Sequence, residues 1–271
     1  MRLDHQTRWH RLKQLVPQPY RSPIRRKVFK LLAPFCRNNL KILATLADTD
    51  KWNDHGYVQH YQTHFHNIRK ERLNVLEIGI GGYNSPWRGG ESLRMWKAYF
   101  PNGQIYGLDI EDKSAHAERR IKVFQGSQVD KDLLQRISSA AGGFDIVIDD
   151  GSHRNEHVIY TFQTLFPLLR IPGTYVIEDT QTSYWPSYGG GDGSDRTSVG
   201  FAKNLIDGVN YREFLEDSYK PSYLDQHIVS LHFYHNLIFI YKDLNDEPSN
   251  RDRVLPAADR EGGCATSLRA R

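Results

Sequence analysis

From residue 73 onward, short apolar runs alternate with helical repeats, and few folds accommodate that order. LNVLEIGI (73–80) is a strand-length apolar run broken by glycine, SLRMWKAYF (92–100) has helical spacing, and QIYGLDI (104–110) and IKVFQG (121–126) read as strands. DKDLLQRISSA (130–140) reads as a helix capped by Asp130, FDIVIDD (144–150) as a strand, NEHVIYTFQTLFPLL (155–169) as a helix and GTYVIED (173–179) as a strand. Strands separated by helices form βαβ units, and these build a parallel sheet covered by helices. HIVSLHFYHNLIFIYK (227–242) has no intervening helix. It reads as two strands joined at His235-Asn236, an antiparallel hairpin added to the sheet edge. The expected class is α/β, with a helical extension before the sheet and a terminal hairpin after it.

The segments around this core differ in charge. Residues 1–45 hold eleven Lys/Arg and one acid, a local balance of +10, so the remainder of this +4 chain carries −6. A basic arm on an acidic body suits an anionic surface or the acidic face of a second subunit. Pro17, Pro19 and Pro23 break the first segment. In residues 24–35, Ile24, Val28, Leu31, Leu32 and Phe35 fall at helical spacing. That stripe reads as packed on the domain or on a second subunit, with a membrane-surface helix as the alternative. Residues 39–48 read as a further helix, and 49–65 as a partly buried helix whose His60 and His64 stand four apart without a third ligand at a familiar spacing. Residues 1–70 are therefore taken as arm and pre-core segment, 71–244 as the main domain, and 245–271 as a polar tail expected to be disordered. No run of about 18 apolar residues exists to span a membrane. The N-terminus lacks the apolar core of a secretory signal. Cys36 and Cys264 are too few for a disulfide framework. A cytoplasmic location follows as the expectation, with the arm offering contact to the inner membrane face.

Ligands of an open α/β sheet bind beyond the carboxyl ends of its strands, so the residues there carry the functional signal. The first strand ends in Glu77-Ile78-Gly79-Ile80-Gly81-Gly82-Tyr83. Its glycines permit a tight turn and close approach of backbone to ligand. A dinucleotide fingerprint would place a third glycine where Asn84 stands, and an acid about twenty residues on. Here the acid, Asp109, comes thirty residues after Gly79. A nucleoside-like ligand is expected, and a nicotinamide dinucleotide is not. Asp149-Asp150-Gly151-Ser152-His153 and Glu178-Asp179 end two later strands. Crowded carboxylates repel unless a cation joins them, and oxygen ligands suit a hard divalent ion. His153 lies within reach of a substrate held there and has the near-neutral pKa of a general base. Tyr184, Trp185 and Tyr188 precede the glycine-rich run 189–200, a candidate lid; these aromatics suit either a sugar or polyketide wall or a local hydrophobic cluster that anchors the loop.

EIGIGGY (77–83), GGESLRMWKAYFP (89–101), IYGLDI (105–110), FDIVIDDGSH (144–153) and GTYVIEDTQTSYWP (173–186) together resemble the class I S-adenosylmethionine-dependent methyltransferases. Within that Rossmann-like fold, the paired DDGSH and VIEDT segments resemble the metal-dependent sugar O-methyltransferases of macrolide biosynthesis. TDKWNDHGYVQHYQTHF (49–65) and SLHFYHNLIFIYK (230–242) extend the likeness over about residues 46–242. The resemblance implies S-adenosylmethionine as cofactor, with Glu77, Gly79, Gly81 and Tyr83 at its methionine part and Asp109 on the ribose. It places Gln125, Ser127 and Gln128 at the adenine and Asp149 beside the cofactor. It implies Mg²⁺ or Mn²⁺ on Asp150, Glu178 and Asp179, with His153 as the base. Tyr57, His60, Tyr184, Trp185 and Tyr188 are the candidate acceptor contacts. The implied acceptor is a glycosylated small molecule or glycolipid, the implied assembly a homodimer or homotetramer, and nucleic acid is not an expected partner. Two other readings compete: a relative of the cephalosporin-hydroxylase and rhamnosyl-methyltransferase group acting on a glycolipid or polysaccharide, and a non-catalytic binder of S-adenosylmethionine or of an anionic surface.

Overall fold

A computed structural model describes residues 18–250 apart from 54, 192, 193 and 217. The expectations for the first part of the arm and for residues 251–271 lie outside the described residues. The chain forms two compact units, one ending at Gln128 and the next starting at Val129. Among the described residues, three strands lie in the first unit and four in the second.

In the first unit, β1 (Asn74–Ile78), β2 (Gln104–Asp109) and β3 (Ile121–Gln125) run parallel in the order β3-β2-β1. Among the described residues, four α-helices precede β1: α1 (Gln18–Leu32), α2 (Leu40–Ala47), α3 (Asp50–Asn53) and α4 (Val58–Phe65). α5 (Glu91–Tyr99) links β1 to β2. The expected helix over 49–65 is divided, with a left-handed glycine, Gly56, between its halves. α4 turns Val58, Tyr61 and Phe65 inward. Tyr61 meets Trp96 of α5 edge-on with ring centroids 5.0 Å apart, and Phe65 lies 5.9 Å from Phe100. This aromatic packing accounts for the pre-core run: its apolar rings are buried and its histidines fall between them.

The stripe on α1 does not pack on the domain. Ile24, Val28, Leu31 and Leu32 are exposed, and Phe35, just beyond the helix, is 85% exposed. Phe29 and Ala33 are buried instead, and Arg25 pairs with Asp48. The helix is thus fixed by a different face from the one its apolar spacing suggested.

The second unit holds β4 (Phe144–Asp149), β5 (Leu169–Glu178), β6 (Ile228–Tyr234) and β7 (Leu237–Lys242) in the order β4-β5-β7-β6. β4 and β5 are parallel; β7 is antiparallel to both β5 and β6, and Asn236 takes the positive φ of the hairpin turn. α6 (Lys131–Ala141) is capped as expected: Asp130 accepts the Leu133 N–H at 3.0 Å. α7 (Asn155–Leu165) stops short of the expected Leu169, and Phe166–Leu168 form a 3₁₀ turn. Pro167 supplies the reason, because it lacks the N–H that a further α-helical bond would need. Lys242 is buried and donates to the carbonyls of Phe166, Pro167 and Leu169 at 2.9, 3.0 and 2.6 Å. Burial lowers its pKa to about 8. Asn245, placed by sequence in the tail, is tied down: its side chain donates to the carbonyls of Val209 and Asp225.

Candidate active site

In the first unit, the chain leaves β1 through a closed loop. The Gly79 N–H continues the parallel ladder to the Leu108 carbonyl at 2.8 Å, and the Gly90 N–H returns to the Ile80 carbonyl at 2.8 Å. Gly82 and Gly89 have positive φ, and a Cβ on either would overlap backbone across the loop, at Arg88 and Gly81. Only glycine permits so close an approach. Tyr83 holds φ 48° and is 92% exposed. Asp109, at the end of β2, accepts the Ile80 N–H at 2.8 Å with Oδ2 and the Glu111 N–H at 2.9 Å with Oδ1. Each oxygen keeps a second lone pair for a ligand hydroxyl. Gln125 is exposed at the end of β3, Ser127 is half-buried and Gln128 is buried.

Glu77 is 0% exposed. It pairs with the buried Lys51 ammonium at 3.2 Å and accepts from the Ser92 hydroxyl at 2.8 Å. The acid of the glycine motif therefore joins β1 to α3 and α5. Tyr57 is buried as well, and His60 is half-buried, its pKa lowered by desolvation.

His116 lies under the same loop. Nε2 is 3.1 Å from the Arg88 carbonyl, so that nitrogen carries the proton; Nδ1 is 3.4 Å from the guanidinium groups of both Arg26 and Arg94 and accepts. Desolvation first, then the charges of Arg94 and Arg26, hold its pKa below the ordinary 6.5. The unfolded chain therefore takes up a proton before the folded one does. The stability His116 contributes is complete above pH 6.5 and declines as the pH falls below it. We expect the melting temperature of the native chain to fall between pH 6.5 and 5 by more than that of His116→Gln; equal slopes would exclude this contribution.

In the second unit, Asp149 at the end of β4 is buried, accepting from the Tyr175 hydroxyl at 3.2 Å and from the Gly151 N–H at 3.4 Å. Burial, then the Asp149 charge, pushes the Tyr175 phenol well above its usual pKa and keeps it a donor. The next acid, Asp150, meets His153 and Asp179. One donor atom from each of these three lies within 4.8 Å of the other two. His153 Nε2 is 3.6 Å from Asp179 Oδ2 and 4.0 Å from Asp150 Oδ1. His153 and Asp179 both adopt positive φ, at 56° and 53°. Non-glycine residues take this conformation at a cost of about 1–2 kcal/mol, and here it turns both side chains to one point. Two carboxylates and an imidazole, all partly exposed, suit a divalent cation. Glu178, immediately before Asp179, is buried and is not one of the three converging groups.

Asn155, at the start of α7, was not among the residues sequence reasoning selected. It is buried and organises the segment after β5. Its amide donates to the carbonyls of Thr182 and Tyr188, both at 3.1 Å, and its carbonyl accepts from the Ser183 hydroxyl and the Ser198 N–H at 3.2 and 2.7 Å. The loop it fixes carries Tyr184 and Trp185, both exposed, and Tyr188, whose ring lies 5.8 Å from that of Trp185. Asn155→Ala strands several buried polar groups and should destabilise the chain by about 3 kcal/mol in urea unfolding. A loss below about 1 kcal/mol would show that the loop is held by other contacts.

No family model matches the chain. It is 52% identical over 229 residues to a demethylmacrocin O-methyltransferase of Streptomyces fradiae, a match covering 80% of this chain and 58% of that protein. It is 46% identical over 240 residues to the 8-demethyl-8-alpha-L-rhamnosyl tetracenomycin-C 2'-O-methyltransferase of Streptomyces olivaceus, covering 87% of this chain and 64% of that one. A solved structure of the MycE methyltransferase from the mycinamycin biosynthetic pathway, in complex with Mg, SAH and mycinamycin VI, superposes with a TM-score of 0.74 at 49% identity. It covers 78% of this chain and 55% of that chain. The chain thus spans 55–64% of the length of these proteins.

Proposed function

We propose, for a chain that is a homologue of the class I sugar O-methyltransferases, that it transfers the methyl group of S-adenosylmethionine to a sugar hydroxyl of a glycosylated natural product. The observation that carries this reading is the convergence of Asp150, His153 and Asp179 in a chain so close to proteins with that activity. When bound, S-adenosylmethionine supplies an activated methyl group, and Mg²⁺ or Mn²⁺ supplies the Lewis acidity that lowers the pKa of an acceptor hydroxyl.

The chain's own residues do the rest. Gly79, Gly81 and Tyr83 border the methionine part of the cofactor, with Glu77 fixing the turn from behind. Asp109 accepts from the ribose hydroxyls while its bonds to the Ile80 and Glu111 N–H groups hold it still. Gln125, Ser127 and Gln128 flank the adenine. Asp149 lies next to the metal-binding acid and, through Tyr175, steadies the end of β4. Asp150 and Asp179 hold the cation, with Glu178 an adjoining third carboxylate. His153 takes the acceptor's proton as the O–CH₃ bond forms and the S–CH₃ bond breaks. Tyr184, Trp185 and Tyr188 present aromatic faces to the sugar or its aglycone, and Tyr57 and His60 support the acceptor side from the pre-core segment.

Among the described residues no helix is long and apolar enough to cross a membrane. The exposed stripe of α1, with Lys27 and Lys30 beside it, supports contact with a second copy of the chain or with an anionic membrane surface. Sedimentation with and without vesicles separates these. The methyltransferase reading is tested by calorimetry: S-adenosylhomocysteine titrated into the protein, then Mg²⁺ into that complex. The reading requires both to bind. Nucleoside binding without cation binding would remove the metal-assisted mechanism, and binding of neither would remove the activity.

A further inference from the structure

The glycine loop is tied shut by a side chain far from it in sequence. Lys113 follows β2, and its side chain is 0% exposed. Its ammonium donates to three main-chain carbonyls of the loop: Tyr83 at 2.6 Å, Ser85 at 2.8 Å and Arg88 at 3.4 Å. An ammonium has three N–H donors, so these carbonyls match its full complement. Hydrogen bonds from a charged donor are stronger than neutral ones. The loop is also closed by its own amides, Ser85 to Gly82, Arg88 to Ser85 and Gly90 to Ile80. Without the ammonium, three carbonyls converging on one buried point would repel.

We infer that Lys113 is a positioning residue for the cofactor: its ammonium gathers the Tyr83, Ser85 and Arg88 carbonyls and so preforms the loop that receives the methionine part of S-adenosylmethionine. This rests on the cofactor reading given above. Lys113 touches loop backbone, and its effect reaches the cofactor through Gly81 and Tyr83. The ribose contact at Asp109 uses a separate set of backbone bonds. Removing the ammonium should therefore weaken recognition of the amino-acid end of the ligand and spare its nucleoside end.

The test compares S-adenosylhomocysteine with 5′-methylthioadenosine, which lacks the amino-acid end, by calorimetry on the full chain. Lys113→Met, similar in length and apolar, should bind S-adenosylhomocysteine about 10- to 100-fold more weakly and 5′-methylthioadenosine within about threefold of native. Lys113→Arg, which keeps a charged donor, should recover part of the loss. Equal loss for both ligands, or no loss for either, would overturn the inference. Failure of the native chain to bind S-adenosylhomocysteine would instead overturn the cofactor reading beneath it. A measurement needing no variant guards against a Lys113→Met chain that does not fold: in native protein without ligand, the Ser85, Arg88 and Gly90 amides should be protected from hydrogen exchange. Free exchange there would show that the loop is not preformed and would equally overturn the inference.

Discussion

Replacing His153 with alanine is expected to lower kcat by about 10²- to 10⁴-fold while leaving the affinities for S-adenosylhomocysteine and Mg²⁺ close to native. The size follows from the proposed task, removal of a proton from a hydroxyl as the methyl group moves. The selectivity follows from the proposed role of base. His153 stands 3.6 and 4.0 Å from the nearest oxygens of Asp179 and Asp150, close enough to be either base or third ligand. The two roles differ in what the variant loses. A base leaves cation affinity intact; a ligand takes cation affinity down with turnover. Because residue 153 sits at φ 56°, alanine also adds backbone strain. His153→Asn serves as the control, since asparagine adopts this conformation more readily and offers no base. Near-native turnover in either variant would remove His153 from the chemistry.

Asp179→Asn should weaken divalent-cation binding by a factor of about 100 or more. Unit charges about 4 Å apart at a protein surface attract by about 4 kcal/mol, and that attraction is lost when the carboxylate becomes an amide. The substitution suits the backbone, because asparagine tolerates the φ of 53° found there. With chelator present, the variant should be at least as stable as the native chain, because one of two neighbouring like charges is gone. Added Mg²⁺ should raise the melting temperature of the native chain and leave that of the variant nearly unchanged. An equal shift in both would exclude Asp179 as a ligand.

The fold was legible because its signal is repeated. β1, β2, β4 and the end of β5 are largely apolar runs, the caps are local, and the hairpin declares itself at His235-Asn236. The candidate site was legible where its residues stand at strand ends, as with Asp109 and with the converging Asp150 and Asp179. Lys113 and Asn155 were not, since both act on main-chain carbonyls tens of residues away and no spacing rule encodes such partners. Burial was equally hidden. Glu77, Asp149 and Glu178 read as site carboxylates, like Asp109 and Asp150, yet all three are buried. The α1 stripe shows the converse: helical periodicity finds an apolar face but does not say that Phe29 and Ala33, not Leu31 and Phe35, meet the protein.

Cation-dependent sugar O-methylation is seen most directly by following the methyl group itself. The chain would be incubated with S-adenosylmethionine bearing a trideuterated methyl group and a panel of deoxysugar glycosides, with Mg²⁺ or with chelator, and the products resolved by mass spectrometry and NMR. Label is expected on one sugar oxygen, formed with Mg²⁺ and lost with chelator. Transfer that ignores the chelator, label on an aglycone position, or no transfer by protein that binds both cofactor and cation would contradict the proposed reaction.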